Sequence, residues 1–172
     1  ASDGVVDDAR IYNRALSDAE IAAIAKTGLR AHWKFDESSG SALADSSGQG
    51  NSAAFATGTP THVSAVRDYG LAFNGANSAD TDANFDPPPQ GSVAFWLKPT
   101  AVPSSTNRLF GTSDAWETRL GSTGLLSCDI GVGGGITSNS TFTSTVKWRH
   151  VVFNYNSIAD TYEMYVDGAL EK

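Results

Sequence analysis

Basic residues are scarce in this chain: 12 Lys and Arg stand against 19 Asp and Glu, a net charge of −7 over 172 residues. That sign opposes a phosphate backbone or an anionic membrane surface, so nucleic acid is not expected as a partner. Cysteine is reduced to Cys128, which rules out an internal disulfide, and no Cys/His grouping has the spacing of a zinc site. No apolar run approaches the roughly 20 residues of a spanning helix, and membrane insertion is not expected. Residues 1–16 have neither the basic start nor the apolar core of a secretion signal. The chain therefore reads as soluble, or as a piece of something larger. Lys and Glu are sparse and turn formers abundant, with 17 Gly, a balance that favours strand over helix. The length supports one domain that removes roughly 70% of its unfolded surface from water, with no need of metal or disulfide.

One helix is expected. Ser17-Asp18-Ala19-Glu20 forms a capping box, Ile21, Ile24 and Ala25 share a face, and Gly28 stops the run. Before it, Gly4 to Tyr12 reads as a strand, so the chain opens inside an element. After it come strand-sized runs bounded by Gly, Pro, Asn or Ser: Ala31 to Phe35, Gly70 to Phe73, Ser92 to Leu97, Arg108 to Gly111, Trp148 to Tyr155 and Tyr162 to Val166. This spacing predicts a two-sheet sandwich. Val93, Phe95 and Leu97 point one way and Ala94, Trp96 and Lys98 the other; Val151 and Phe153 alternate likewise with Val152 and Asn154. Both runs have a partly apolar second face, which predicts central strands. Segments 36–64 and 99–107 read as long polar loops, and 131–145 as a flexible Gly/Ser/Thr stretch.

Six strings in this order carry a resemblance. DDARIYNRALSDAEIAAI (7–24) looks like a closing strand and helix, and LRAHWKFDESSGSALADSSGQGN (29–51) like a domain opening. GLAFNGAN (70–77), GSVAFWLKP (91–99), WRHVVFNYN (148–156) and YEMYVDG (162–168) follow. Together they resemble the bacterial LamG-like, concanavalin A-like lectin/glucanase family. The resemblance implies an all-β, two-sheet antiparallel jelly-roll sandwich with one short helix near the N-terminus, from an extracellular or cell-surface protein. The closing element comes first here, so residues 1–28 are either the tail of a preceding repeat or a permuted part of the body at 29–172. In the second case the opening strand completes its own sandwich or a neighbour's, the latter giving a strand-swapped homo-oligomer.

The loop Asp45-Ser46-Ser47-Gly48-Gln49-Gly50-Asn51 combines a carboxylate, an amide oxygen and two glycines, hard-oxygen chemistry that suits Ca²⁺. In the family this loop often joins a calcium site near the acidic residue of the closing strand, which implies Asp7, Asp45, Gly48 and Asn51 as ligands. The alternative is an Asx-type turn in which Asp45 bonds nearby amides. The stretch Asp80 to Asp86 reads as a solvated strand face rather than a second calcium loop.

Glucanases of this fold set two carboxylates on one strand as E-x-D-x-x-E, and no such string occurs here. The chain is therefore expected not to be an enzyme. Trp33, Trp96 and Trp148 sit where the family places aromatics, and packing is their expected role. Trp116, in the polar run Thr112 to Arg119, is the candidate sugar platform, with Arg119 as the second ligand-binding residue. The alternative for Trp116 is a rim residue packed on a loop. Two functions follow: a non-catalytic carbohydrate- or glycan-binding module, or a calcium-stiffened structural or adhesive repeat joined by strand complementation. The fold ranks neither.

Overall fold

A computed structural model describes residues 15, 28–74, 77–81, 88–112, 116–130, 134–143 and 146–172. The strand expected over 4–12, the helix after Ser17 and Asp7 fall outside these residues. In chain order the described strands are β1 (Ala42–Leu43), β2 (Ala53–Thr57), β3 (Thr61–Ser64), β4 (Tyr69–Ala72), β5 (Ser78–Thr81), β6 (Gln90–Leu97) and β7 (Asn107–Thr112). They continue as β8 (Trp116–Leu120), β9 (Leu125–Ile130), β10 (Gly134–Thr141), β11 (Arg149–Asn156), β12 (Thr161–Val166) and β13 (Ala169–Leu170). Every pairing is antiparallel.

Two four-stranded sheets, β10-β9-β8-β7 and β13-β12-β11-β6, carry the core, with the smaller sheets β1-β2-β5 and β3-β4 beside them. The first sheet contributes Leu120, Leu126, Cys128 and Ile136, and the second Val151, Phe153, Tyr155, Met164 and Val166, to one buried cluster. The two sheets thus face each other as a sandwich. Period-two alternation produces this: Val151, Phe153 and Tyr155 are buried on β11 while His150, Val152 and Asn154 are not. Phe153 stacks between Tyr155 and Tyr162, at centroid distances of 5.8 and 6.2 Å.

The inner face of β8 to β10 is less apolar than a core usually is, and each polar group there is satisfied. The Thr118 hydroxyl donates to the Cys128 sulfur at 3.5 Å. Burial pushes that thiol up to about 11, with the Thr118 bond pulling weakly the other way, so Cys128 is an inert packing residue. Ser138, buried beside a break in the β9–β10 register, accepts from the Leu126 amide at 3.0 Å and donates to the Ser140 carbonyl at 2.8 Å. The last hairpin turns on Asp167 (φ 52°) and Gly168 (φ 82°), the pair of positive angles that a two-residue turn demands. Asp167 also braces the start of β11, accepting from the His150 amide at 2.9 Å and from Arg149 at 2.6 Å. The His150 amide bond, opposed by burial and aided by Arg149 and Lys147, holds its carboxyl below the usual range.

Three expectations are corrected. Segment 36–64 contains β1, β2 and β3, and 131–145 contains β10; small and hydroxylated residues hid their alternation. Ala31 to Phe35 forms only a bridge, Trp33 to Asp45, because Phe35 turns left-handed (φ 61°). Gly135, expected in a flexible run, is paired to Asp129 in the ladder. A Cβ there would collide with the Asp129 carboxylate and the Cys128 carbonyl. β11 is central as expected; β6 has β11 on one side, and the opening peptide expected to complete the sandwich falls outside the described residues.

Candidate functional site

Among the described residues three places offer chemistry, and the first is the loop after β1. Asp45 Oδ1 accepts from the His32 and Ser47 amides, each at 2.9 Å, and Oδ2 from the Ser47 hydroxyl at 2.7 Å and the Asn51 amide at 2.9 Å. Asn51 in turn donates through Nδ2 to the Arg30 carbonyl at 2.7 Å and accepts at its own carbonyl from the Trp33 indole at 2.8 Å. Gly48 supplies a positive φ of 79° to the turn. Burial alone would raise the Asp45 carboxyl, but the donors on His32, Ser47 and Asn51 together hold it well below the carboxylate range. Asp45 is thus the hub that ties 30–33 to 45–51.

A cation does not fit the Asp45 carboxylate in this arrangement. Its acceptor positions are filled by N–H and O–H groups whose positive ends face where the ion would sit. Among the described residues no group of three His, Cys, Asp or Glu could hold a metal. Of the expected ligand set Asp7, Asp45, Gly48 and Asn51, Asp7 lies outside the described residues; melting curves in calcium and in chelator test the set, a rise of several degrees in calcium supporting it and coincident curves supporting the turn alone. Asp45→Ala is expected to lower stability by about 2 kcal/mol, close to 5 °C in melting temperature. The sign with pH follows from the lowered folded-state value. The contribution is present above the ordinary carboxylate range near pH 4 and disappears as pH falls through the folded value, so the penalty of Asp45→Ala should shrink in acid.

The second place is the outer face of β7, β8 and β9. Glu117 accepts from Arg108 at 2.8 Å and pairs with Arg119 at 3.2 Å, and Arg119 also pairs with Asp129. The Arg119 guanidinium is therefore engaged by two carboxylates, and its Nε is buried without a partner. Trp116 opens β8 with its backbone paired to Thr112 and Ile130. Position 116 is in phase with the buried Thr118 and Leu120 and out of phase with Arg119. The strand does not place Trp116 and Arg119 in one phase.

The third place was not singled out from the sequence. On the outer face of β6, β11 and β12, Trp96 is 50% exposed and lies against His150 with centroids 4.9 Å apart. The cross-strand register then runs Ala94–Val152–Tyr165 and Ser92–Asn154–Glu163. Ser92 donates to Asn154 Oδ1 at 2.8 Å, Asn154 Nδ2 to Glu163 Oε2 at 3.4 Å, and the Tyr165 hydroxyl to the same oxygen at 3.2 Å. The bond to Glu163, with its negative charge and slight burial, raises the Tyr165 phenol above its usual value and keeps it a donor. An aromatic plate, a small apolar step and a row of oriented amide, carboxylate and hydroxyl groups therefore span about 13 Å along β6. The signal was present: alternation already placed Trp96 opposite Val93, Phe95 and Leu97. Trp33 and Trp148 are partly buried, as packing residues would be, with Lys98 5.1 Å over the Trp148 ring.

A sandwich of two antiparallel sheets with one polar-aromatic outer face has the build of the lectin-like sandwiches. Residues 72–172, more than half of the chain, match the concanavalin A-like lectin/glucanases superfamily. The chain belongs to that superfamily. Among solved structures it is similar to domain 4 of AbnA, a GH43 extracellular arabinanase from Geobacillus stearothermophilus, in complex with arabinotriose. The TM-score is 0.63 at 20% identity, covering 84% of this chain and 73% of that one. No curated protein matches.

Proposed function

We propose that this chain is a non-catalytic carbohydrate-binding module of a larger extracellular protein, and that it holds neutral oligosaccharide on the outer face of β6, β11 and β12. The observation that carries the reading is Trp96, half exposed beside His150 and in line with Ser92, Asn154, Glu163 and Tyr165. Sugar rings present C–H faces that an aromatic plate covers, and hydroxyls that planar polar groups satisfy in pairs. Glu163 and the net charge of −7 disfavour anionic glycans. The similar arabinanase domain was solved with arabinotriose, so arabino-oligosaccharides are the first ligands to test. Hydrolysis needs two carboxylates facing one glycosidic bond, and the paired strand motif for it is missing from the sequence.

The jelly-roll connectivity and the division into 1–28 and 29–172 belong to the same proposal. Their support is the resemblance of the opening peptide to a closing strand, together with β6 at the margin of its sheet among the described residues.

The test is affinity electrophoresis and calorimetry against arabinan, arabinotriose and a panel of neutral polysaccharides. Saturable binding without product release, little changed by salt, is expected. Failure to be retarded by any neutral polysaccharide would overturn the reading.

A further inference from the structure

On the Trp96 face the row Ser92–Asn154–Glu163 has a fixed polarity. A carboxylate only accepts, so the Asn154 amide turns its nitrogen toward Glu163 Oε2, at 3.4 Å, and its oxygen toward the Ser92 hydroxyl, at 2.8 Å. The Tyr165 hydroxyl donates to the same Glu163 oxygen at 3.2 Å. Both hydroxyl hydrogens and one of the two Asn154 Nδ2 hydrogens are therefore used inside the row. What is left over is one donor, the second Nδ2 hydrogen, beside a free acceptor: Glu163 Oε1 has no partner among the described residues. Ser92 and Glu163 are exposed and Asn154 is half-buried, all on the side of the sheet away from the buried Val151, Phe153 and Met164. A ligand lying on this face therefore meets the leftover pair.

An acceptor and a donor side by side match two hydroxyls on adjacent carbons. One gives its hydrogen to Glu163 Oε1 and the other accepts from Asn154 Nδ2; the first bond is charge-assisted and the stronger of the two. A phosphate, sulfate or carboxylate meets Glu163 with the wrong charge, and an ether or ester oxygen has no hydrogen to give. A divalent metal finds no group of three His, Cys, Asp or Glu among the described residues. The row lies about 13 Å along β6 from Trp96, further than one sugar ring reaches. We infer that Glu163 is the specificity-determining residue of this face: with Asn154 it takes an unsubstituted vicinal diol on one ring of an oligosaccharide whose other ring stacks on Trp96. The inference rests on the carbohydrate-binding reading above and adds which sugars are accepted. Chains with both neighbouring hydroxyls free bind; chains acylated, etherified or branched at either one do not.

The test is calorimetry with arabinotriose, and with the same trisaccharide carrying fluorine in place of its 2- and 3-hydroxyls, against the wild type, Glu163→Gln and Trp96→Ala. Fluorine keeps the ring but cannot donate. The wild type is expected to bind the fluorinated ligand about tenfold more weakly. In Glu163→Gln the side-chain oxygen keeps the Asn154 and Tyr165 bonds, and an NH₂ group replaces the free oxygen. Affinity for arabinotriose should then fall about fivefold, and the ratio between the two ligands should shrink to about twofold. Trp96→Ala should weaken both ligands alike and keep the ratio. Equal affinity of the wild type for the two ligands, or a ratio undiminished in Glu163→Gln, would overturn the diol reading; loss of affinity in Trp96→Ala alongside it would leave the first reading standing. Absence of arabinotriose binding to the wild type would overturn the inference, and absence of binding to any neutral polysaccharide would overturn the first reading with it. The ligand comparison on the wild type decides without any variant having to fold.

Discussion

Phe153→Ala is expected to destabilise the chain by about 4 kcal/mol and to lower the melting temperature by about 10 °C. Phe153 is 1% exposed on β11, the strand held between β6 and β12, and its ring is stacked on Tyr155 and Tyr162. Removing it takes away the transfer energy of a whole aromatic side chain and leaves a cavity that two other rings cannot close without leaving their own rotamers. Total stabilities of single domains run from about 5 to 15 kcal/mol, so this change removes a large share. Phe153→Leu should recover roughly half of the loss. A Phe153→Ala chain that melts within 2 °C or so of wild type would show that β11 does not pack against the opposite sheet as described.

Trp96→Ala is expected to weaken arabino-oligosaccharide binding by at least tenfold, about 1.4 kcal/mol or more, without altering the fold. Separation of the two effects is physical. The ring is 50% exposed and its backbone bonds to β11 do not depend on the side chain, so stability should move by no more than about 0.5 kcal/mol. Binding loses the half-exposed indole plate on that face. Trp96→Phe should retain part of the affinity. Glu163→Gln keeps shape and removes charge, so with a neutral ligand it should cost less than Trp96→Ala. Trp116→Ala separates the face on β6, β11 and β12 from the platform expected at Trp116 and Arg119. The present account expects it to leave affinity within about twofold; loss of binding there with Trp96→Ala unaffected would return the site to β8.

Legibility in the sequence followed chemistry. Strands whose inner faces are Val, Phe, Leu and Tyr, as in β6 and β11, announce themselves by alternation, which separates Val93, Phe95 and Leu97, and Val151 and Phe153, from the residues between them. Strands whose inner faces use Thr118, Cys128 and Ser138 did not, because a hydroxyl satisfied inside a core looks, in one dimension, like a loop residue on the surface. For the same reason β10, written Gly-Gly-Ile-Thr-Ser-Asn-Ser-Thr, read as a flexible stretch. At Asp45 the sequence left a turn and a cation open, and four hydrogen bonds to one carboxylate favour the turn. Alternation separates Trp96 from Val93, Phe95 and Leu97, but a family habit assigns it to packing.

The most direct measurement follows the indole N–H resonances of the four tryptophans during titration with arabinotriose. If sugar lies along β6, β11 and β12, the Trp96 signal shifts and saturates while that of Trp33, bonded to the Asn51 carbonyl, stays in place. A saturating shift at Trp116 with Trp96 unmoved would contradict the assignment.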